Sequence, residues 1–329
     1  MPGTAREFPK MNKRIKSRKF KVLIICILFF AVSFSALEIL ARVRLNKIRG
    51  GYPAGMYAPD SELGFRYRAN FTGGFPGIYR NITIRTNSEG FRDYEHSGNS
   101  SAKKILAVGD SVAFGPGVMQ EDSYPAQIEA ILRLSGKNVE VLNRGVDSYD
   151  FSQEKILSER EASVHSPSAI LVGFVLNDIA PFNRESAAGE KLGMPLCASC
   201  RIAGLLLHPN YNEAYFSGIY KAWNEADWNR TRDEIKALSE FCRANNITLA
   251  FAVFPYQEQF NSSLEEPFLP QQLLEDELSK DGIPYVDLRD VLENCSSCYL
   301  TGDSVHLNER GSRAIAEKIS SFLEENNLI

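Results

Sequence analysis

Five residues in four separated segments carry groups suited to one kind of chemistry. Ser111 follows an apolar run in KILAVGDSVAFGPGV, Gly145 lies in VLNRGVDSY, Asn177 in LVGFVLNDI, and Asp303 and His306 in LTGDSVHLNERG. A serine hydroxyl becomes a useful nucleophile only when a neighbouring base takes its proton, and the imidazole of His306 titrates in the range where it does so. Asp303, on the same loop, is spaced to accept from His306 Nδ1 and fix the tautomer that presents Nε2 to Ser111. A carbonyl attacked by such a serine gathers negative charge. The backbone N–H groups of Ser111 and Gly145 and the side-chain amide of Asn177 would supply three donors to it. Taken singly, Asp110 or Ser111 reads as a helix cap, Asn177 as a turn residue, and the Asp303/His306 pair as the cap of a following helix. Their joint occurrence in order, each just after an apolar run, favours the chemical reading.

The elements that must gather these residues follow from the pattern after Lys104. Apolar runs at 105–108, 139–142, 170–174, 249–254 and 285–286 read as strands, and helix-compatible segments at 123–134, 152–164, 232–244, 271–280 and 309–325 separate them. Short hydrophobic strands alternating with helices predict an α/β fold whose mostly parallel five-stranded sheet is covered on both faces. Ligands of such sheets bind beyond the carboxyl ends of the strands, where all four segments fall. A helix starting near Ser111 would add partial positive charge there. Residues 42–103 read as a lead-in of short strands and turns, and residues 181–222 as an insertion of the kind that shapes substrate access.

The order and content of these segments resemble the SGNH hydrolase superfamily, also called the GDSL-like esterase family. Its four motif blocks are matched by Gly109-Asp110-Ser111, Gly145, Asn177-Asp178 and Asp303-Ser304-Val305-His306, within residues 104–329. The resemblance implies a flavodoxin-like three-layer α/β/α sandwich and a serine acyl-enzyme mechanism without a cofactor. It makes Ser111, Asp303 and His306 the catalytic set and Ser111, Gly145 and Asn177 the oxyanion hole. The segment TNSEGFRD, residues 86–93, is similar to membrane-anchored bacterial members linked to envelope polysaccharides. The sequence departs from the commonest patterns in Val112 after the serine and in Ser148 where a second glycine often follows Gly145.

At the other end, residues 1–21 hold eight basic side chains against Glu7 alone, and residues 22–41 form an apolar run with one charge, Glu38. That length suits a single membrane crossing as a signal anchor; a cleaved signal peptide is the alternative. The heavier basic flank places the N-terminus in the cytoplasm and the catalytic domain outside it. Beyond residue 21 the chain has 29 basic and 40 acidic residues, a net of −11, which argues against nucleic-acid binding. Cys197/Cys200 and Cys295/Cys298 form two CxxC pairs. They suit disulfides tying the insertion to the loop before Asp303, or alternatively a four-thiolate zinc site. His96, His165 and His208 lack comparable partners and read as surface or structural. The resulting expectation is a serine esterase or O-acyltransferase acting on an acylated, chiefly acetylated, envelope carbohydrate. A catalytically silent carbohydrate-binding or assembly protein of the same fold is the alternative.

Overall fold

The computed structural model describes residues 13–49, 52–76, 81–96, 101–180, 197, 199, 211–295 and 297–329. Most of the expected insertion, residues 1–12 of the basic tail, Cys200 and His208 lie outside them. The described residues fall into two compact units. One contains helix α1 (Lys13–Lys47) with Cys197 and Ser199; the other contains the rest.

In the first unit, the stretch Lys19–Val43 of α1 is long and apolar enough to cross a membrane, with a mean hydropathy of 2.6 over its most apolar window. At 1.5 Å per residue it measures about 37 Å, against roughly 30 Å of bilayer hydrocarbon. Its one acidic side chain is not left alone. Glu38 pairs with Arg42 at 2.8 Å and accepts from the backbone N–H and the hydroxyl of Ser199 at 3.0 and 2.9 Å.

The second unit is built on five parallel strands: β7 (Lys103–Gly109), β8 (Val139–Gly145), β9 (Ala169–Phe174), β10 (Thr248–Val253) and β11 (Tyr285–Asp287). They lie in the order β11-β10-β9-β7-β8. Alternation along the strands sorts their side chains to two faces. Ile105, Ala107, Val141, Leu171 and Ala252 pack under helices α3 (Tyr124–Leu134) and α10 (Glu309–Glu325). Leu106, Val108, Leu142, Val172 and Phe251 pack under α4 (Phe151–His165), α6 (Glu225–Ala244) and α8 (Leu269–Lys280). The result is a three-layer α/β/α sandwich with the flavodoxin-like strand order. Its direction of winding reverses between β7 and β9, and the crevice at that switch point is where such sheets take ligands.

Two helices differ from the sequence expectation. α6 starts at Glu225 rather than Arg232 because the Asn224 side chain caps it, accepting from the N–H groups of Ala226 and Asp227 at 3.1 Å. Part of the presumed insertion is regular, forming α5 (Tyr211–Ala222).

The lead-in consists of three short antiparallel pairs, β1 (Ile48–Arg49) with β2 (Tyr52–Pro53), β3 (Tyr57–Asp60) with β4 (Gly64–Tyr67), and β5 (Thr72–Pro76) with β6 (Asn81–Arg85). Its Tyr57, Phe65, Tyr67 and Ile84 share one buried cluster with Phe114, Val146 and Tyr149 of the sandwich. A charged network extends this junction. Arg144 on β8 is fully buried; its Nε donates to Glu161 Oε2 at 2.6 Å and its Nη2 to Glu89 Oε2 at 2.7 Å, while Nη1 lies 3.4 Å from Asp93 Oδ2. The two remaining described histidines belong here and are structural, with His96 3.0 Å from Asp93 and His165 3.1 Å from Glu89. They do have carboxylate partners, contrary to the sequence reading. A buried cation is tolerable only while its partners neutralise it. Glu161→Ala should therefore lower the unfolding free energy by about 1–3 kcal/mol, measured by urea titration of the detergent-solubilised full chain.

Candidate active site

β7 ends at Gly109, and Asp110 caps the single helical turn α2 (Ser111–Phe114), its side chain accepting from Val112 N–H at 2.8 Å. The helix expected at Ser111 is only this turn. Gly115, at φ +73°, closes it in the left-handed conformation, so the larger dipole of a long helix is not available to Ser111.

The loop carrying Asp303 and His306 comes after β11, the edge strand at the other end of the sheet from β8. A bridge between Tyr299 and Leu307 closes it, and Asn308 caps α10, accepting from Gly311 N–H at 3.0 Å. The loop is fastened to the end of β10 by Tyr299 Oη donating to Pro255 O at 3.0 Å and Gln257 N–H donating to Ser304 O at 2.8 Å. These anchors bring Ser111 Oγ within 2.8 Å of His306 Nε2, and His306 Nδ1 within 2.7 Å of Asp303 Oδ2. Asp303 Oδ1 also accepts from the N–H groups of Val305 and His306 at 2.8 and 2.9 Å, which orients the carboxylate toward the ring. Burial disfavours the His306 imidazolium, but the hydrogen bond and charge of Asp303, with the fields of Asp110 and Asp147, outweigh it and raise its pKa above 6.5.

Asn177 sits in a 3-10 turn, Leu176–Ile179, after β9. Its Nδ2 donates to Asp110 Oδ2 at 2.9 Å, and its Oδ1 accepts from the Tyr256 hydroxyl. The neighbouring Asp178 turns inward and accepts from Val175 N–H at 2.7 Å. Burial, with the nearby charge of Glu154, pushes its carboxyl well above the usual range.

Gly145 is adjacent to this assembly but its amide is engaged. Its N–H donates to Asn143 Oδ1 at 2.9 Å, which corrects the expectation of an unoccupied donor. What requires glycine there is close packing, since a Cβ would lie 2.4 Å from Phe114 N and 2.6 Å from Ala113 C. Further along the same loop, Ser148 takes the left-handed conformation, φ +62°, and its N–H has no partner among the described residues.

The cysteine expectation is also corrected. Cys295 is bonded to Cys298, so this pair closes its own turn instead of tethering the insertion, and offers no thiolates to a metal. Cys197 is also disulfide-bonded, while Cys200 falls outside the described residues.

No protein-family model and no curated protein matches the chain. Solved structures similar to it include a protein assigned to the lipolytic G-D-S-L family from Desulfitobacterium hafniense, at 18% identity over 67% of this chain and 99% of that one, with a TM-score of 0.45. A lipase/acylhydrolase from Enterococcus faecalis is similar at 12% identity over 68% and 96% of the two chains, TM-score 0.46. A Clostridium thermocellum family 3 carbohydrate esterase is similar at 16% identity, again over 68% and 96%, TM-score 0.43.

Three side chains that bond to these turns escaped the sequence reading. Asn143 Nδ2 donates to Ala113 O at 3.0 Å and so ties β8 to the Ser111 turn. Arg92, from the lead-in, donates to Phe114 O at 2.7 Å, to Gly115 O and to Val118 O at 2.6 Å, clamping the loop that leaves that turn. Tyr256 is the third. Asn143 is one of three polar residues in VEVLNRG and nothing in the sequence singles it out; the others depend on contacts distant in sequence. The tight fit at Gly145 predicts that Gly145→Ala costs about 1–3 kcal/mol and displaces the Ser111 turn. Thermal unfolding would read the first effect, and a lengthened Ser111 Oγ to His306 Nε2 distance in the crystal structure of the variant the second.

Proposed function

We propose that this protein is a membrane-anchored serine esterase or O-acyltransferase that removes an acyl group, chiefly acetyl, from an envelope carbohydrate through an acyl-enzyme. The observation that carries the reading is the hydrogen-bonded series Ser111 Oγ, His306 Nε2, His306 Nδ1 and Asp303 Oδ2, at 2.8 and 2.7 Å, at the carboxyl edge of a parallel sheet.

In this reading Ser111 Oγ attacks the ester carbonyl as its proton passes to His306 Nε2, and Asp303 stabilises the imidazolium. The oxyanion takes hydrogen bonds from Ser111 N–H and from the Asn177 Nδ2 hydrogen not used by Asp110. Ser148 N–H, rather than the engaged amide of Gly145, is the third donor. His306 then returns the proton to the departing alcohol oxygen, leaving an acyl-serine. Water, or a sugar hydroxyl, attacks that ester and gives its proton to His306, which restores Ser111. Support for an acylated carbohydrate comes from the similarity of TNSEGFRD to envelope-associated members and from the apolar α1. The eight basic residues before the apolar run support a cytoplasmic N-terminus and an extracytoplasmic active site.

Ser111→Ala should abolish covalent labelling by a fluorophosphonate and lower turnover of acetylated oligosaccharides by at least about 10⁴-fold, with an unchanged melting temperature. Wild-type protein that resists labelling and releases no acetate would instead identify a silent binding protein. Adding an acceptor glycan and following the acetyl group by mass spectrometry separates transfer from hydrolysis.

His306 acts as a base only when neutral, and its pKa is raised, so kcat/KM should climb with pH through a midpoint above 6.5. Asp303→Asn removes the charge that favours the imidazolium. The midpoint should then move to lower pH while the plateau falls by about 10²–10⁴-fold, both read from a pH–rate profile.

A further inference from the structure

Tyr256 lies in the turn after β10, outside all four motif segments, and is completely buried. Its hydroxyl donates to Asn177 Oδ1. Its backbone N–H donates to Gln259 Oε1 at 2.8 Å, and Gln259 is locked in turn to Gln271 at 2.9 Å and to Pro267 O at 2.6 Å. The ring stacks on Tyr215 of α5, with centroids 6.3 Å apart and planes 12° from parallel. A phenol placed this way is rigid on every side and has no surface from which to meet a substrate.

An amide side chain has one acceptor end and one donor end, and its plane turns about a soft torsion. At Asn177, Asp110 takes one hydrogen of Nδ2 and thereby selects which end is nitrogen. A single bond still allows the plane to swing. The hydroxyl on Oδ1 supplies the second point of attachment, and two points fix the direction of the remaining Nδ2 hydrogen. Burial, with the neighbouring Tyr215, Asp110 and Asp178, pushes the Tyr256 phenol well above its ordinary range, which favours the protonated form that donates to Asn177.

We propose that Tyr256 is a positioning residue for the oxyanion donor: its hydroxyl holds Asn177 Oδ1 so that the free Nδ2 hydrogen stays aimed at the charge developing beside Ser111. The proposal rests on the esterase or acyltransferase reading above. Because preorganised donors act in the transition state and little in the ground state, the effect falls on kcat rather than KM. Through Tyr215, the helix that follows the 181–210 segment packs against the oxyanion donor's support.

Tyr256→Phe removes one oxygen and keeps the ring. It should lower kcat about 10-fold, a fraction of the roughly 10²–10³-fold expected for losing the whole donor in Asn177→Ala, with KM changed less than about twofold. In the Asn177→Ala background the same substitution should have no further effect, since there is no amide left to hold. An unchanged kcat in Tyr256→Phe, or an equal loss in both backgrounds, would overturn the assignment. Nuclear magnetic resonance of the Asn177 Nδ2 protons tests the restraint without turnover. Their slow exchange with solvent should be lost in Tyr256→Phe, and retained protection would refute the proposal. Should the wild type show no Ser111-dependent turnover, the functional reading fails, and the amide-proton measurement still decides whether Tyr256 fixes Asn177.

Discussion

The carboxylate of Asp110 stands between two strand ends and is shared by both. It accepts from Val112 N–H at 2.8 Å and from Asn177 Nδ2 at 2.9 Å, while Ser111 Oγ lies 3.4 Å away. Burial pushes its pKa up, and these donors, with the positive field of His306, work in the opposite direction. The turn after β7 and the turn after β9 thus meet at one acceptor. Losing either donor would leave a buried carboxylate less satisfied, a costly state that holds both turns in register. The separation between Ser111 and Asn177 is therefore set by a shared hydrogen-bond partner as well as by the spacing of the strands.

Around that junction, packing leaves little freedom. The end of β8 presses on α2 so closely that Gly145 has no room for a side chain, and Asn143 fastens the same strand to Ala113 O. From the other side Arg92 reaches in from the lead-in to three carbonyls of residues 114–118. Its burial lowers the guanidinium pKa to about 10, still far above neutrality, so it remains charged there. Tyr57 and Tyr67, also from the lead-in, both donate to Asp147, at 2.8 and 2.6 Å. The lead-in is thus part of the scaffold of the site, and its short hairpins gain stability by covering apolar surface that the sandwich alone would expose.

The same constraint separates the correct sequence expectations from the corrected ones. Strand-end position follows from local apolar runs, so the meeting of Ser111, Asp303 and His306 was foreseeable. Whether a particular backbone amide points into the site depends on which side chain folds back over it. At Gly145 that is Asn143, and no pattern in VLNRGVDSY announces the bond. Cysteine pairing is equally unreadable from spacing, because either CxxC could close on itself or reach its counterpart. The observed Cys295–Cys298 bridge depends on how the loop turns before Tyr299.

Sequence by itself determined the alternating strands and helices, the parallel sheet, the apolar N-terminal helix and the segments that deliver a serine, an amide and an Asp/His pair to one edge. These are local properties: apolar periodicity, chain spacing and the intrinsic chemistry of side chains. Only the tertiary structure decided the orientation of Asn177 by Asp110 and Tyr256, the engagement of the Gly145 amide, and the enclosure of Arg144 among Glu89, Asp93 and Glu161. The Asn177 and Arg144 arrangements join groups 17 to 79 residues apart, and the bond at Gly145 spans only two residues but depends on an Asn143 side chain that is also held by Ala113 O. Their free energies depend on burial and mutual direction, and neither exists until the layers have packed.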